Sequence, residues 1–475
     1  MSAINVRLPD SLHIMATKLA TQDHKSLNQF TTSTTGQEAD NCFFLDIITI
    51  KEGTMRCAIM FILCLFWTAV VPAAELSPIQ QLGKAIFFDS NLSALRNQSC
   101  ATCHAPEVGW SGPDSELNNQ GGVYNGSFSE RFGNRRPPSA AYVAQSPVLR
   151  WDKKEKAFIG GAFWDGRATG KRLKNTAAEQ AQGPFVNPQE HGFADSACVV
   201  SRVCGAEYGK ELEKLHPGIC SIAWPADIDA LCSTDGYKAD IPAPDRKKVD
   251  HAYDAIARAI AAFETSAEVN PYSSKFDAWK AGKAKLTSQE WSGLKLFDGK
   301  GKCSQCHTSS GKKPLFTDFT YDNLGVPRNP LNPFYTQKAY NPDGQAWVDP
   351  GLGGFLAGEK QWQKKSRAEY GKHKVPTLRN VDKRPAPDMV KSYGHNGYFK
   401  SLKEVVHFYN TRDSLPVCKP GDKGEKISCW PLPETAMNMN MVEMGNLGLT
   451  DDEEDAIVVF MKTLTDGYII SKTGK

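Results

Sequence analysis

The sequence predicts a mainly α-helical protein made of two similar domains in tandem, elaborated by long loops. Three observations support this prediction. The motif Cys-x-x-Cys-His occurs twice, a similar helix-forming stretch precedes each copy, and a chain of 475 residues is too long for a single hydrophobic core. The net charge of +3 and the hydrophobic content of 40% are ordinary, so neither a nucleic-acid partner nor a membrane-surface partner is expected.

Both copies of the motif have the spacing of a covalent haem anchor. The first is Cys100, Cys103 and His104, and the second is Cys303, Cys306 and His307. A redox pair of cysteines does not need the histidine, and a zinc site needs a second pair of ligands. In c-type haem, both thiols bond to the porphyrin and the histidine ligates the iron. We therefore expect two covalently bound haem c groups, each at the centre of a cytochrome c-like domain.

Helices are predicted at the start and the end of each domain. The stretches LSPIQQLGKAIFFDS and LTSQEWSGLKLFDGK share the frame L-[ST]-x5-G-x3-F, with Ser77 as the N-cap of the first helix and Thr287 as the start of a capping box in the second. The amphipathic stretches DHAYDAIARAIAAFE and DDEEDAIVVFMKTLT are predicted to close the two domains, and Thr450 begins the latter helix. The excursions 194–248 and 313–372 are expected to be loops.

Four segments are predicted along the chain. Residues 1–54 are interpreted as a spurious or disordered extension. Residues 55–74 are interpreted as a signal peptide, because MRCAIMFILCLFWTAVVPAAE combines a basic residue, a short apolar run and small residues. A retained membrane anchor is the alternative, although the run is short for a span. The first domain is assigned to residues 75–283 and the second to 284–475, and the mature protein is expected in the periplasm with no stable membrane span.

Export makes disulfides an expected feature. Outside the haem motifs and the N-terminal segment, six cysteines remain: Cys198, Cys204, Cys220, Cys232, Cys418 and Cys429. An even number in an exported protein predicts up to three disulfides, and a zinc site is less expected in this compartment. The local pairs 198–204, 220–232 and 418–429 are the simplest of the 15 connectivities, but the sequence does not choose among them.

The far side of the first iron lacks a predicted ligand. After His104, no histidine occurs before His191 and no methionine before Met389. A haem with an open face can bind peroxide or oxygen, whereas a haem with two protein ligands moves electrons. The sequence therefore favours an open, reactive first haem. The alternative is that His191, His216 or His251 folds back to the iron.

The stretch EQAQGPFVNPQEHGF offers polar groups for such a face. Activation of peroxide needs a group that takes a proton from one oxygen and returns it to the other, and a carboxylate such as Glu190 can do both. An amide such as Gln180 can orient the peroxide by hydrogen bonding. Taken alone, these residues leave open the ordinary alternative of a solvated glutamate in a loop.

A family resemblance is carried by several motifs. With the two haem motifs, the stretches FWDGRATG, QAQGPFVNPQE, KVPTLRNV, HNGYFKSLKEVVHFYN and GNLGLTDDEEDAIVVFMKTLT resemble the bacterial di-haem cytochrome c peroxidase and MauG family, from about residue 76 to residue 466. The resemblance implies that the first haem reacts with hydrogen peroxide and that Gln180, Pro184 and Glu190 line its distal pocket. It also implies that Trp164 relays electrons between the haems. The family peroxidases carry a distal histidine where this chain has none, so the resemblance is nearer the MauG-like branch.

Tyr409 is the expected second ligand of the second iron. The resemblance implies an axial ligand fourteen residues after the histidine of the HNG motif, here His395; this ligand is methionine in the peroxidases and tyrosine in MauG-like members. The local pattern agrees, since Tyr409 lies on the apolar stripe of its predicted helix and His407 points the other way. The alternatives are a core aromatic at 409 and a ligand from the methionines at 437, 439, 441 or 444.

These expectations combine into a function. The resemblance implies a periplasmic MauG-like oxidoreductase that uses hydrogen peroxide to form high-valent iron shared between two haems, then oxidises a redox partner or a tryptophan or tyrosine of another protein. The alternatives are a peroxide-detoxifying cytochrome c peroxidase fed by a small cytochrome or cupredoxin, and a non-enzymatic di-haem electron carrier. The resemblance also implies a calcium site with Asn134 as its side-chain ligand, although MVKSYGHNG lacks the threonine and proline of the family pattern.

Overall fold

A computed structural model describes residues 75–419 and 421–470, which fold into a mainly helical protein, as predicted. The predicted extension and signal peptide lie outside the described residues. The helices of the first half are α1 (Pro78–Phe88), α2 (Cys100–Cys103), α3 (Ser115–Asn119), α4 (Thr176–Phe185), α5 (Ser196–Gly205), α6 (Gly209–Leu215), α7 (Ile228–Leu231) and α8 (Ala243–Glu264). Those of the second half are α9 (Lys275–Lys280), α10 (Ser288–Asp298), α11 (Gly351–Gly358), α12 (Leu402–Thr411) and α13 (Asp451–Lys462).

Strands are few and short in the described chain. Strand β1 (Arg150–Asp152) pairs antiparallel with β2 (Ala157–Ile159), and β3 (Tyr321–Asp322) pairs antiparallel with β4 (His373–Lys374). Among the described residues, every helix is too short or too polar to cross a bilayer.

Two hydrophobic cores divide the described chain. The buried apolar residues of the first core lie between positions 82 and 269, and those of the second between 276 and 464. In the first core, α8 packs against α1 and α4; in the second, α13 packs against α10 and α12. Each core therefore pairs the helix that precedes a haem motif with the helix that closes the half. The exact domain boundary, near 284, stays a prediction.

The glycine of the repeated frame brings each pair of helices into backbone contact. A Cβ atom at Gly83 in α1 would overlap the carbonyl oxygen of Ala259 in α8, and a Cβ atom at Gly293 in α10 would overlap that of Ala456 in α13. The phenylalanines four residues further on contact phenylalanines of the same closing helices, with ring centroids 5.6 Å and 5.1 Å apart. The sequence repeat is thus a repeated helix–helix joint that only glycine permits.

The predicted helix starts are confirmed. Capping boxes begin α10 at Thr287 and α13 at Thr450. The backbone N–H of Ser77, which precedes α1, donates to the side chain of Gln80. These caps satisfy donors that would otherwise be unpaired at the helix starts, so they fix where each framing helix begins.

The prediction for residues 194–248 is wrong, because this excursion contains α5, α6 and α7 rather than a loop. Residues 313–372 are mostly irregular as expected, with α11, β3 and short turns as the exceptions. The helices of 194–248 bury apolar residues of α5 in the first core, so the excursion extends that core.

Three disulfides are present, but two of the simplest pairings are wrong. The bridges join Cys198 to Cys232 and Cys204 to Cys220. Residues 198 and 204 both lie in α5, where six residues span about 9 Å along the axis. A disulfide needs Cα atoms roughly 4.4–6.8 Å apart, so two cysteines of one helix at this spacing cannot bond. The local bridge 418–429 is confirmed.

Candidate functional site

Both motifs present two unpaired thiols beside a histidine. In the first motif, residues 100–103 form the single turn α2; in the second, residues 303–305 form a 3-10 turn. These four are the free cysteines of the described chain, whose other cysteines all form disulfides. A chain that pairs its other thiols and keeps two closely spaced pairs free fits the attachment of two porphyrins.

The histidine of each motif is oriented by a backbone carbonyl. His104 Nδ1 lies 3.2 Å from the carbonyl oxygen of Trp110, and His307 Nδ1 lies 2.9 Å from that of Phe316. Burial lowers the pKa of both histidines, so both are neutral. With Nδ1–H donating to the carbonyl, Nε2 keeps its lone pair, which is the state of a histidine that ligates iron.

A largely apolar cavity adjoins the second motif. Its walls include Cys303, Cys306, His307 and, on α12, Tyr409. His407 lies on the other side of α12, where its Nδ1 is 3.0 Å from a carboxylate oxygen of Glu454. Burial raises the pKa of Tyr409 well above its ordinary value, so a nearby cation such as iron would be needed to make it a phenolate. The fold thus brings His307 and Tyr409 to one cavity.

The four methionines considered as alternative ligands lie in different places. Met444 is buried and lines the same cavity. Met439 packs against Gly325, and Met437 and Met441 are exposed. Of these four methionines, Met444 is therefore the one that lines the cavity.

Buried cations face this cavity. Lys374, Lys391 and Arg136 line it, and none has a carboxylate within ion-pair distance in the described chain. Burial lowers the pKa of each lysine to about 7 and that of Arg136 to about 10. The rings of His373 and His395 stack 3.6 Å apart. The Nε2 atom of His373 lies 3.3 Å from a carboxylate oxygen of Asp349, and that of His395 lies 3.6 Å from one of Glu434.

These observations fit a haem. Buried positive charges without a counter-charge are costly, so an anionic group is expected beside them. The propionates of a porphyrin supply such charges, and the apolar walls suit its ring. The cavity, the paired thiols and the oriented histidine together match the chemistry of the expected cofactor.

The calcium site implied by the resemblance stays a prediction. Asn134, its implied side-chain ligand, is half-buried, and its backbone carbonyl accepts a hydrogen bond from Asn332. In the stretch MVKSYGHNG, the Nζ of Lys391 donates to two backbone carbonyls, and Arg136 lies within electrostatic reach of this lysine. These two positive charges oppose the binding of a dication close to them.

Glu190 lies beside the thiols of the first motif. Its carboxylate is within electrostatic reach of Cys100 and Cys103, and it accepts a hydrogen bond of 2.6 Å from the side chain of Asn187. Burial raises the pKa of Glu190, and the Arg167 charge and the Asn187 hydrogen bond oppose this rise. A half-buried carboxyl with increased proton affinity can accept a proton and return it.

The other two predicted distal residues belong to the same local unit. Gln180 and Pro184 lie on α4, one turn apart and both half-buried. The carbonyl of Pro184 accepts the N–H of His191 at 3.1 Å, which ties the turn carrying Glu190 to the end of α4. Their roles toward the iron stay predictions.

Three histidines are the alternative ligands of the first iron: His191, His216 and His251. His216 and His251 face each other with ring centroids 6.3 Å apart, and His251 is exposed. His191 is buried within electrostatic reach of His104, and its Nδ1 lies 2.6 Å from the carbonyl oxygen of Leu92. Burial lowers the pKa of His191 to about 4. His191 is thus the rival ligand that the fold brings nearest to the first motif.

Trp164 lies in the wall of the cavity. Its indole N–H donates to the carbonyl of Arg136 at 2.8 Å, and its ring lies 6.4 Å from that of His395. The same cavity wall includes Gly109 and Ser111, which follow the first motif. Trp164 therefore shares a cavity with residues that follow the first motif and residues of the second, and its role as an electron relay stays a prediction.

Long-range ion pairs that hold this region were not predicted. Arg135 donates to both carboxylate oxygens of Asp349 and to Asp165 beside Trp164, each at 2.6 Å. Burial alone would raise the pKa of Asp349, but the charge of Arg135 outweighs it and holds this pKa well below its ordinary value. The sequence does contain a signal for buried cations, since NRRPPS and MVKSYG carry basic residues and no acidic ones. It does not show which acidic residues of the folded chain pair with them.

Known proteins share this combination of sites. The family model for the di-haem cytochrome c peroxidases matches residues 78–285. The methylamine utilization protein MauG of Paracoccus denitrificans is 32% identical over 391 residues, covering 81% of this chain and 88% of that protein. The cytochrome c551 peroxidase of Nitrosomonas europaea is 27% identical over 400 residues, covering 84% of this chain and 82% of that protein.

A solved structure agrees in fold. The diheme peroxidase BthA from Burkholderia thailandensis has a TM-score of 0.62 and 28% identity, covering 83% of this chain and 90% of that one. The chain therefore belongs to the di-haem cytochrome c peroxidase and MauG family, a family of oxidoreductases that carry two haems and use peroxide.

Proposed function

We propose that this protein is an exported, MauG-like enzyme in which hydrogen peroxide reacts at the first haem. A second haem, bound by His307 and Tyr409, passes oxidising equivalents to a redox partner or to a residue of another protein. The observation that supports the proposal is the half-buried carboxyl of Glu190, held by Asn187 and within electrostatic reach of Cys100 and Cys103. It provides a proton acceptor and donor where peroxide would bind.

Each haem supplies an iron that exchanges electrons, and the chain supplies the proton transfers and the positioning. Glu190 takes the proton of the oxygen nearest the iron and returns it to the leaving oxygen, so that this oxygen departs as water. Gln180 orients the peroxide by hydrogen bonding. The neighbouring Asn187 holds the carboxylate of Glu190 in place at 2.6 Å.

The second site differs in its chemistry. A phenolate from Tyr409 stabilises oxidised iron, whereas a methionine would favour the reduced state. Trp164 links the two sites, and its hydrogen bond to Arg136 fixes the indole in the cavity wall. This arrangement suits the storage of oxidising equivalents for a target that is difficult to oxidise.

Covalent haem attachment and export belong to the same proposal. The two thiol pairs attach the haems as thioethers, which requires assembly outside the cytoplasm, and the three disulfides suit the same compartment. We expect an intact mass larger than the processed polypeptide by two haem masses. A single haem, or haem extracted by acidic acetone, would refute this.

Met444 favours a second candidate. If this buried methionine rather than Tyr409 ligates the second iron, the second haem becomes an electron entry port. The protein would then be a peroxide-detoxifying cytochrome c peroxidase fed by a small redox protein.

Stopped-flow mixing of the diferric protein with hydrogen peroxide tests the proposal. We expect a rapid change of the haem bands without prior reduction. A reaction seen only after one haem has been reduced would support the detoxifying peroxidase. The absence of a reaction in both the diferric and the half-reduced state would leave an electron carrier. Trp164→Phe should keep the initial reaction and slow the later oxidation of the second haem.

A further inference from the structure

An exposed tryptophan lies within a cluster of lysines on the second half. Trp291 of α10 is 43% exposed. What we call the lysine face consists of four exposed lysines close to Trp291 in the chain: Lys280, Lys283, Lys285 and Lys295. The Lys295 ammonium lies 5.3 Å from the centre of the Trp291 ring.

Two of the three acidic residues between 275 and 300 are neutralised by other cations. Both carboxylate oxygens of Asp277 accept from Arg379 at 2.9 Å, and Glu290 is buried against Lys275 at 2.7 Å. The third, Asp298, is exposed and accepts from a serine hydroxyl. Between 275 and 300, the four lysines of the lysine face therefore outnumber the one exposed acid, and the face carries net positive charge.

A continuous set of aromatic contacts joins Trp291 to the second haem motif. The Trp291 ring lies 5.8 Å from that of Trp279, the Trp279 ring 5.4 Å from that of Phe276, and the Phe276 ring 5.2 Å from that of Phe316. The carbonyl of Phe316 accepts from Nδ1 of His307 at 2.9 Å. The exposed indole is therefore linked through packed rings to the histidine predicted to ligate the second iron.

We propose that the lysine face docks an acidic protein partner, which delivers electrons through Trp291 and Trp279 to the second haem. This inference rests on the proposed function. Each docked partner loses one electron, and two such electrons with two protons reduce one hydrogen peroxide to two waters. The Lys295 charge opposes oxidation of the adjacent indole, and carboxylates of a docked partner offset that charge. Electron transfer is thereby favoured when the acidic partner is bound.

Charge complementarity identifies the class of partner. Clustered charges of one sign raise association rates with oppositely charged partners by about 10–10³-fold, and salt screens this effect. An apolar aromatic ring at the centre of a charged rim is also the usual anatomy of a protein-binding surface. A vesicle of anionic lipid is negatively charged, as an acidic protein is. The experiment therefore distinguishes binding to such a vesicle from binding to a protein.

The experiment uses the holoprotein and two forms of one probe. Basic mitochondrial cytochrome c and the same protein with its lysines succinylated carry the same haem but opposite surface charge. We expect peroxide-dependent oxidation of the succinylated ferrocytochrome to be at least 10-fold faster at low salt, and to slow as salt is added. Equal rates for the two forms, or a faster basic form, would overturn the proposal.

Variants locate the effect. The triple change Lys283→Glu, Lys285→Glu and Lys295→Glu should reduce kcat/KM for the succinylated probe roughly 10-fold or more. The matched control reverses the exposed lysines at 153, 154 and 156 in the turn between β1 and β2, and it should have little effect. Trp291→Phe should slow electron transfer while leaving the Kd of the probe unchanged. Equal effects of the two triple variants would reject the lysine face.

Two further readouts separate this inference from the proposed function. The reaction of the diferric triple variant with peroxide alone should match that of the unmodified protein. If no form reacts with peroxide, the proposed function fails, but salt-dependent binding of the succinylated probe still tests the lysine face. Sedimentation with vesicles of anionic lipid at physiological salt, reversed by the same triple change, would assign the face to a membrane surface and overturn the protein partner.

Discussion

In the first half, the helix before the motif contacts α8 through Gly83; in the second half, the corresponding helix contacts α13 through Gly293. Beyond each joint, a histidine donates from Nδ1 to a backbone carbonyl, that of Trp110 or that of Phe316. The proximal framework is therefore built twice from one pattern.

The groups that we propose for the distal sides come from unrelated segments. Glu190 lies in the turn after α4, and Tyr409 lies on α12. A short repeated frame is enough to fix a proximal ligand, because it sets one helix joint and one turn. The chemistry that follows is decided by whichever segment covers the opposite face, so the two halves can carry different reactions on a similar support.

The largest expected effect is a change that impairs the reaction at the first haem site and leaves the second site intact. Glu190→Gln should slow the reaction of the diferric protein with peroxide by roughly 10²–10⁴-fold, because general acid–base help is lost while both haems remain. Glu130→Gln, which changes an exposed carboxylate of the neighbouring segment, is the matched control. Stopped-flow absorbance measures both rates. An unmodified rate in the Glu190 variant would remove this residue from the reaction.

The next prediction concerns a change that alters the second haem site and leaves the first intact. Tyr409→Phe should change the ligation of the second haem and raise its potential by about 0.1 V or more, since axial ligands tune haem potentials over about 0.8 V. Tyr398→Phe, at a buried tyrosine of the same core, should leave the spectrum unchanged. Spectroelectrochemistry follows both haems. If Met444→Leu rather than Tyr409→Phe alters the second haem, the detoxifying peroxidase is favoured.

The parts predicted from sequence were those set by local patterns. The thiol–histidine motifs, the capped helices and the apolar stripe carrying Tyr409 each depend on spacing within a few residues, and the structure contains the helices as predicted. Two other features join distant segments: the disulfide between Cys198 and Cys232 and the ion pair between Arg135 and Asp349. Such partners are chosen by tertiary packing, for which the sequence carries no local signal.

A third prediction tests whether the two glycine joints contribute equally to the stability of the two halves. Gly83→Ala and Gly293→Ala should each lower the free energy of unfolding by about 3 kcal/mol, because a methyl group would force the helices apart. Gly205→Ala is the control, since open space surrounds that residue at the end of α5. Thermal melting of the holoproteins compares the three variants. A large loss from only one of the two joint glycines would show that the halves are not supported alike.

The smallest expected effect concerns a difference inside the shared joint. Glu264 follows Phe263 in α8 just as Met461 follows Phe460 in α13, so a buried carboxyl in the first half stands where the second half has an apolar residue. One carboxylate oxygen of Glu264 has no hydrogen-bond partner among the described residues. Burial raises the pKa of Glu264 to about 8.

The sign of the pH dependence follows from this raised pKa. An unfolded glutamate has a pKa of about 4.3, so between about pH 4.3 and pH 8 the folded chain holds a proton that the unfolded chain has lost. Stability should therefore fall as pH rises through this window, by a few kcal/mol at most and on the order of 1.4 kcal/mol per pH unit within it. Glu264→Gln keeps the shape without the charge and should flatten this dependence. Melting temperatures of the two holoproteins from pH 5 to pH 9 should therefore diverge as pH rises, with the variant the more stable at pH 8. Parallel curves would mean that Glu264 is ionised or hydrated in the folded protein.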